Sequence, residues 1–124
     1  MKLVIQEPES AALARYLARG QVLATSRVAL VEVPRATAIA NPTAEARRET
    51  NKLLASCMLV EVTDALLRRA AELASASIRT LDAIHLASAL RVEPDELVAY
   101  DRRLTAAAAE HGLAVASPAT ELPQ

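Results

Sequence analysis

Short apolar runs alternate with longer helix-periodic segments along the chain, and this alternation restricts the fold more than any other feature. The runs QVLATS (21–26), CMLVEVT (57–63), ELVAYD (96–101) and LAVASP (113–118) are almost continuously hydrophobic. Strands have that character when both of their faces are covered. Between them lie SRVALVEVPRATAIA (26–40), TAEARRETNKLLAS (43–56), DALLRRAAELA (64–74), RTLDAIHLASAL (79–90) and RRLTAAAAEHG (102–112), all with helical spacing. Strands separated by helices predict a three-layer α/β/α domain with a mainly parallel sheet. At 124 residues the chain is one domain, spanning 1–124. Its core is built from Ala, Leu and Val, because Trp and Phe are absent and Tyr occurs twice.

Local punctuation sharpens the boundaries. Pro8 opens a helix over 8–20 and Gly20 closes it. Ser26 is placed to cap the helix that follows it, and Pro34 to kink or interrupt that helix by removing a backbone hydrogen bond. Asn41-Pro42 marks a turn, and Thr63-Asp64 and Gly112 mark a helix start and a helix end. Residues 1–6, MKLVIQ, have the character of the end of an element rather than its beginning.

Composition excludes several function classes. The near-absence of aromatic side chains removes base-stacking platforms, and a formal net charge of −1 removes nucleic-acid binding through overall positive potential. Cys57 is the only cysteine, so no intrachain disulfide forms, which fits a reducing compartment. No apolar stretch reaches the ~20 residues of a membrane span, and no basic-then-apolar leader is present. The expected location is the cytoplasm. Two glycines cannot make a phosphate-cradling loop, and there is no Cys/His cluster of zinc type.

The helix at 79–90 is mostly apolar yet carries Asp82 in its first turn, with Thr80 placed to cap it. A buried carboxylate needs a partner or a role. Asp101 ends the next apolar run, and Glu32 lies between two valines upstream. Each acid has an ordinary explanation. Glu32 pairs with Arg35 for about 0.2–0.5 kcal/mol, Asp82 complements a helix dipole for about 0.3–1 kcal/mol, and Asp101 caps the last helix. The alternative is that the three converge. Converging carboxylates repel unless a cation holds them, and an all-oxygen site selects Mg²⁺ or Mn²⁺, which can activate water against a phosphodiester. Composition leaves open whether they meet. His85, three residues after Asp82, suits a supporting hydrogen bond, and Ser26 a hydroxyl near the site. Arg79 and Arg102 could grip phosphates by forked hydrogen bonds, whereas Arg103 has the character of solvated surface.

LDAIHLASAL (81–90), AYDRRL (99–104) and GLAVASP (112–118), in that order, resemble the PIN-domain family and, within it, the VapC toxins of bacterial toxin–antitoxin modules. VIQEPESAAL, ATSRVALVEVPRA and DALLRRAAEL extend the resemblance over essentially the whole chain. It implies the toxin of a type II toxin–antitoxin module, a metal-dependent endoribonuclease that cuts RNA, uses Mg²⁺ or Mn²⁺, commonly forms a homodimer and is silenced by a VapB-type antitoxin. Glu32, Asp82 and Asp101 match the family's acids, with metal coordination as their implied role. One motif is not matched. The family's domain starts with a strand carrying Asp-(Thr/Ser)-Ser, whose aspartate is a metal ligand and which lies in the middle of the sheet. MKLVIQEPES matches the segment just after that strand. The expectation is therefore a chain shortened at its N-terminus, lacking its first, central strand. The alternative reading is a catalytically inactive, truncated PIN-like protein that keeps antitoxin binding.

Overall fold

A computed structural model describes residues 2–4, 22–73 and 78–117. Strands β1 (Lys2–Val4), β2 (Leu23–Ser26), β3 (Met58–Val60), β4 (Glu96–Val98) and β5 (Val115–Ala116) form one sheet in the order β3-β2-β1-β4-β5. Every neighbouring pair is parallel. The described helices are α1 (Ala29–Ala40), α2 (Ala44–Ala55), α3 (Asp64–Glu72), α4 (Thr80–Val92) and α5 (Arg102–Glu110). The helix expected over 8–20 lies outside the described residues.

The parallel sheet is as the apolar runs predict, but the middle of it is not. The central strand, expected to be missing, is supplied by Lys2–Val4, with Leu3 in register with Ala24 of β2 on one side and Leu97 of β4 on the other. Leu3 is fully buried, and Lys2 reaches across to Glu96 in an ion pair of 2.5 Å. The two flanking pairs of strands therefore keep a shared neighbour. A three-residue strand suffices because its partners are nearly as short, four residues in β2 and three in β4.

The strand residues divide between two faces. Leu3, Val60 and Leu97 pack with Leu66, Leu86, Leu104 and Ala108 from α3, α4 and α5. Leu23 and Val98 pack on the other face with Leu53 and Cys57, beside a cluster of Ala29, Val33 and Leu54 from α1 and α2. Successive strand residues point to opposite faces, and with Leu3 and Leu97 apolar on one face and Leu23 and Val98 on the other, both faces take a helical layer. Right-handed crossovers give the same result, because the chain moves one way along the sheet from β2 to β3 and the other way from β3 to β4.

Helix starts follow local chemistry. Thr43 and Thr63 cap α2 and α3, accepting from Ala46 N (3.0 Å) and Leu66 N (3.1 Å). Three of the sequence expectations shift. Ser26 does not cap α1. It is the fully buried last residue of β2, and its hydroxyl accepts from Val28 N at 3.4 Å, which settles a turn before the helix begins at Ala29. Of the two outcomes expected of Pro34, a kink or a break, the break does not occur: α1 runs on to Ala40. Packing of Ala29 and Val33 against Leu54, with a Thr37–Thr50 hydroxyl bond of 3.0 Å, holds the helix through the missing N–H. Thr80 is the first helical residue of α4, and Arg79 is its N-cap.

Among the described residues no helix is long and apolar enough to cross a membrane.

Candidate active site

In a parallel sheet, side chains gather along the edge where the strands end. Glu32 is one turn into α1, which starts just after β2. Asp101 is the N-cap of α5, just after β4. Asp82 is in the first turn of α4, whose end joins the start of β4 through three residues. Thirteen helical residues span about 20 Å, so α4 begins at the opposite edge of the sheet, the one where the strands end. The three acids thus stand at three helix starts along one rim.

Each carboxylate is pinned through one oxygen. Asp101 Oδ1 accepts from Arg103 N at 2.8 Å and from Leu104 N at 3.3 Å. Asp82 Oδ2 accepts from Arg79 N at 3.3 Å, reaching back to the N-cap. Glu32 Oε1 lies 2.5 Å from Nε2 of His85, 53 residues away in sequence. Asp101 Oδ2, Asp82 Oδ1 and Glu32 Oε2 have no bonding partner among the described residues. The ordinary role of Asp101 and the functional one are therefore compatible: one oxygen caps, and the other remains available. Asp82 is held in the same way.

The Glu32 contact corrects the expected i+3 pairing with Arg35. It also gives His85 a partner that no local pattern announced. His85 is buried, with 2% of its surface exposed, and its Nδ1 has no hydrogen-bond partner among the described residues. The Glu32 side chain is one-third exposed. Because α1 belongs to one helical layer and α4 to the other, this bond joins the two layers across the rim. Ser26, fully buried, ends the strand beside them. Arg79 and Arg102 are exposed and adjoin the helix starts that carry Asp82 and Asp101.

Oxygen donors suit a hard divalent cation in kind. In spacing they do not close on one. Among the described residues no three His, Cys, Asp or Glu side chains lie close enough to hold a metal ion together. The rim presents separate, fixed negative charges with basic side chains beside them.

Comparison with known proteins agrees with this architecture. The PIN domain, as a family, matches residues 1–111. Ribonuclease VapC46 of Mycobacterium tuberculosis (strain ATCC 25618 / H37Rv) is 40% identical over 120 residues, covering 95% of this chain and 91% of the relative. Ribonuclease VapC47 of the same species (strain CDC 1551 / Oshkosh) is 33% identical over 123 residues, covering 94% and 90%. Ribonuclease VapC35 of that strain is 37% identical over 122 residues, covering 95% and 90%. With a five-stranded parallel sheet between two helical layers and similarity that runs nearly end to end, the chain belongs to the PIN-domain family.

Proposed function

We propose that this protein is the toxin of a type II toxin–antitoxin module, an endoribonuclease that cuts RNA in the cytoplasm and is silenced by a VapB-type antitoxin. The observation that carries this reading is its similarity, over nearly the whole chain, to proteins named as VapC ribonucleases. Glu32, Asp82 and Asp101 supply the negative rim on which catalysis depends, each with one carboxylate oxygen unengaged among the described residues. Arg79 and Arg102 grip the RNA backbone by forked hydrogen bonds to phosphate. Ser26 and His85 support the acids from beneath. Mg²⁺ or Mn²⁺ is the proposed cofactor. When bound it would polarise a phosphoryl oxygen and neutralise charge there; Glu32, Asp82 and Asp101 match it in donor type and not in the spacing of the described rim. A homodimer is the proposed assembly.

The capping bonds make a clean test available. Asparagine caps a helix about as well as aspartate, so Asp82→Asn and Asp101→Asn keep the bonded oxygen and lose the charge on the other. The expected result is a midpoint of urea unfolding close to that of the parent chain, with Mn²⁺-supported cleavage of a labelled single-stranded RNA reduced at least a hundredfold. Cleavage that survives both substitutions would reduce the acids to caps and remove the proposed chemistry. Copurification with antitoxin without any cleavage by the parent chain would leave a binding protein in place of a nuclease.

A further inference from the structure

We infer that His85 is a positioning residue for Glu32, fixing its carboxylate at the rim from the opposite helical layer. Glutamate in the first turn of a largely exposed helix ordinarily samples many rotamers. Here one oxygen is held at 2.5 Å by a ring that is almost wholly buried, on a helix that also carries Asp82. The ring cannot follow a moving side chain, because Ile84, Leu86 and Ala87 beside it in sequence are buried too. Glu32 therefore goes where His85 directs it. This sets its spacing from Asp82 through α4 itself.

The surroundings also select the form of the ring. A carboxylate is an acceptor only, so Nε2 carries the hydrogen and donates it to Glu32 Oε1. Nδ1 faces no partner. A second hydrogen there would be a buried N–H without an acceptor, the more expensive kind of orphan. The Nε2–H tautomer satisfies Glu32 and leaves Nδ1 as a bare lone pair, the cheaper of the two orphans. Glu32 Oε2 is then left without a partner among the described residues and available to substrate.

The kinetic part of this inference rests on the ribonuclease reading; the tautomer does not. In the ¹⁵N-labelled chain, long-range imidazole correlations should show His85 as the Nε2–H tautomer, and its Nε2 resonance should move in Glu32→Ala. In RNA cleavage, His85→Leu should lose kcat by roughly 10–100-fold with KM changed less than threefold. His85→Gln places an amide donor near Nε2 and should recover to within about threefold of the parent, although it loses as much melting temperature as His85→Leu. An Nδ1–H tautomer, or a resonance indifferent to Glu32→Ala, would overturn the inference. So would His85→Leu cleaving at the parental rate, or His85→Gln remaining as slow as His85→Leu. If His85→Leu does not fold, the resonance and His85→Gln decide. If the parent chain does not cleave RNA, the ribonuclease reading fails and the resonance alone decides the positioning.

Discussion

Leu3 is the sharpest test of the architecture, because the sequence suggests a sheet without its middle strand and the structure puts Lys2–Val4 there. In Leu3→Ala the backbone ladder to β2 and β4 survives, and only side-chain packing is lost. Leu3 is fully buried between Ala24 and Leu97, in the cluster with Leu86 and Leu104. Removing three carbons forfeits about 0.8 kcal/mol for each in transfer energy. A residual cavity of about 40 Å³ adds about 1 kcal/mol. The expected cost is about 3–4 kcal/mol, a large part of the ~5–15 kcal/mol that holds a domain together. At roughly 4 °C for each kcal/mol, the melting temperature should fall by about 12–16 °C. Urea unfolding followed by circular dichroism should give a lower midpoint with an unchanged slope. Leu97→Ala, on the neighbouring strand and the same face, should cost a similar amount. If Leu3→Ala costs about 0.5 kcal/mol or less, as exposed substitutions do, residues 2–4 are not the centre of the sheet.

Asp101→Ala removes both cap bonds and should cost about 1 kcal/mol, measured by the same urea titration, whereas Asp101→Asn should cost only a few tenths. Glu93 ends α4 in the left-handed region with φ +48°. Glycine adopts that conformation without a Cβ penalty, so Glu93→Gly should raise stability by about 0.5–1 kcal/mol. A destabilised Glu93→Gly would show that its side chain matters more than its backbone. Burial pushes the Cys57 thiol above its ordinary value of 9.0, against a smaller opposing effect of a hydrogen bond with Ser56. The folded chain then holds a proton that the unfolded chain gives up, so this contribution to stability is present below pH 9 and declines above it. Cys57→Ala should show a shallower loss of stability between about pH 8.5 and 10, and equal losses would remove the burial argument.

Much of the architecture is legible in the sequence because it is locally encoded. Apolar runs too short for helices, separated by amphipathic segments, leave a covered parallel sheet as the simplest solution, and Thr63 and Asp101 mark their helices by cap chemistry alone. The failures have a common cause. Pro34 announces a kink or a break, and the helix escapes the break through packing on Leu54 and a hydroxyl bond to Thr50, residues that only tertiary structure brings near. Ser26 has the composition of a cap and the location of a strand end, and the sheet decides between them. Lys2–Val4 is too short to declare itself a strand, and only its neighbours make it one. The Glu32–His85 bond spans 53 positions, so no window of helical or strand length contains both.

The candidate site is legible for a reason that the geometry refines. Three acids on three elements suggest convergence on an ion, whereas the described structure gives three helix starts on one rim, each held by one oxygen. Acids at helix starts are stabilised by backbone N–H groups and by the helix dipole whether or not they do chemistry, so stability alone would retain them. What stability does not ask for is the position of Glu32. Its carboxylate caps no backbone N–H, and it is held by a buried histidine from the other layer whose second nitrogen is unpaired among the described residues. A fold optimised for packing alone would fill that place with an apolar pair, since a buried polar ring with an unmet nitrogen carries a cost of about 1–3 kcal/mol. Replacing both partners together, with His85→Leu and Glu32→Leu in one chain, should therefore match or exceed the parent's stability while abolishing cleavage. A double variant that is clearly less stable than the parent would assign the pair to structure, and the argument for function at this position would fall with it.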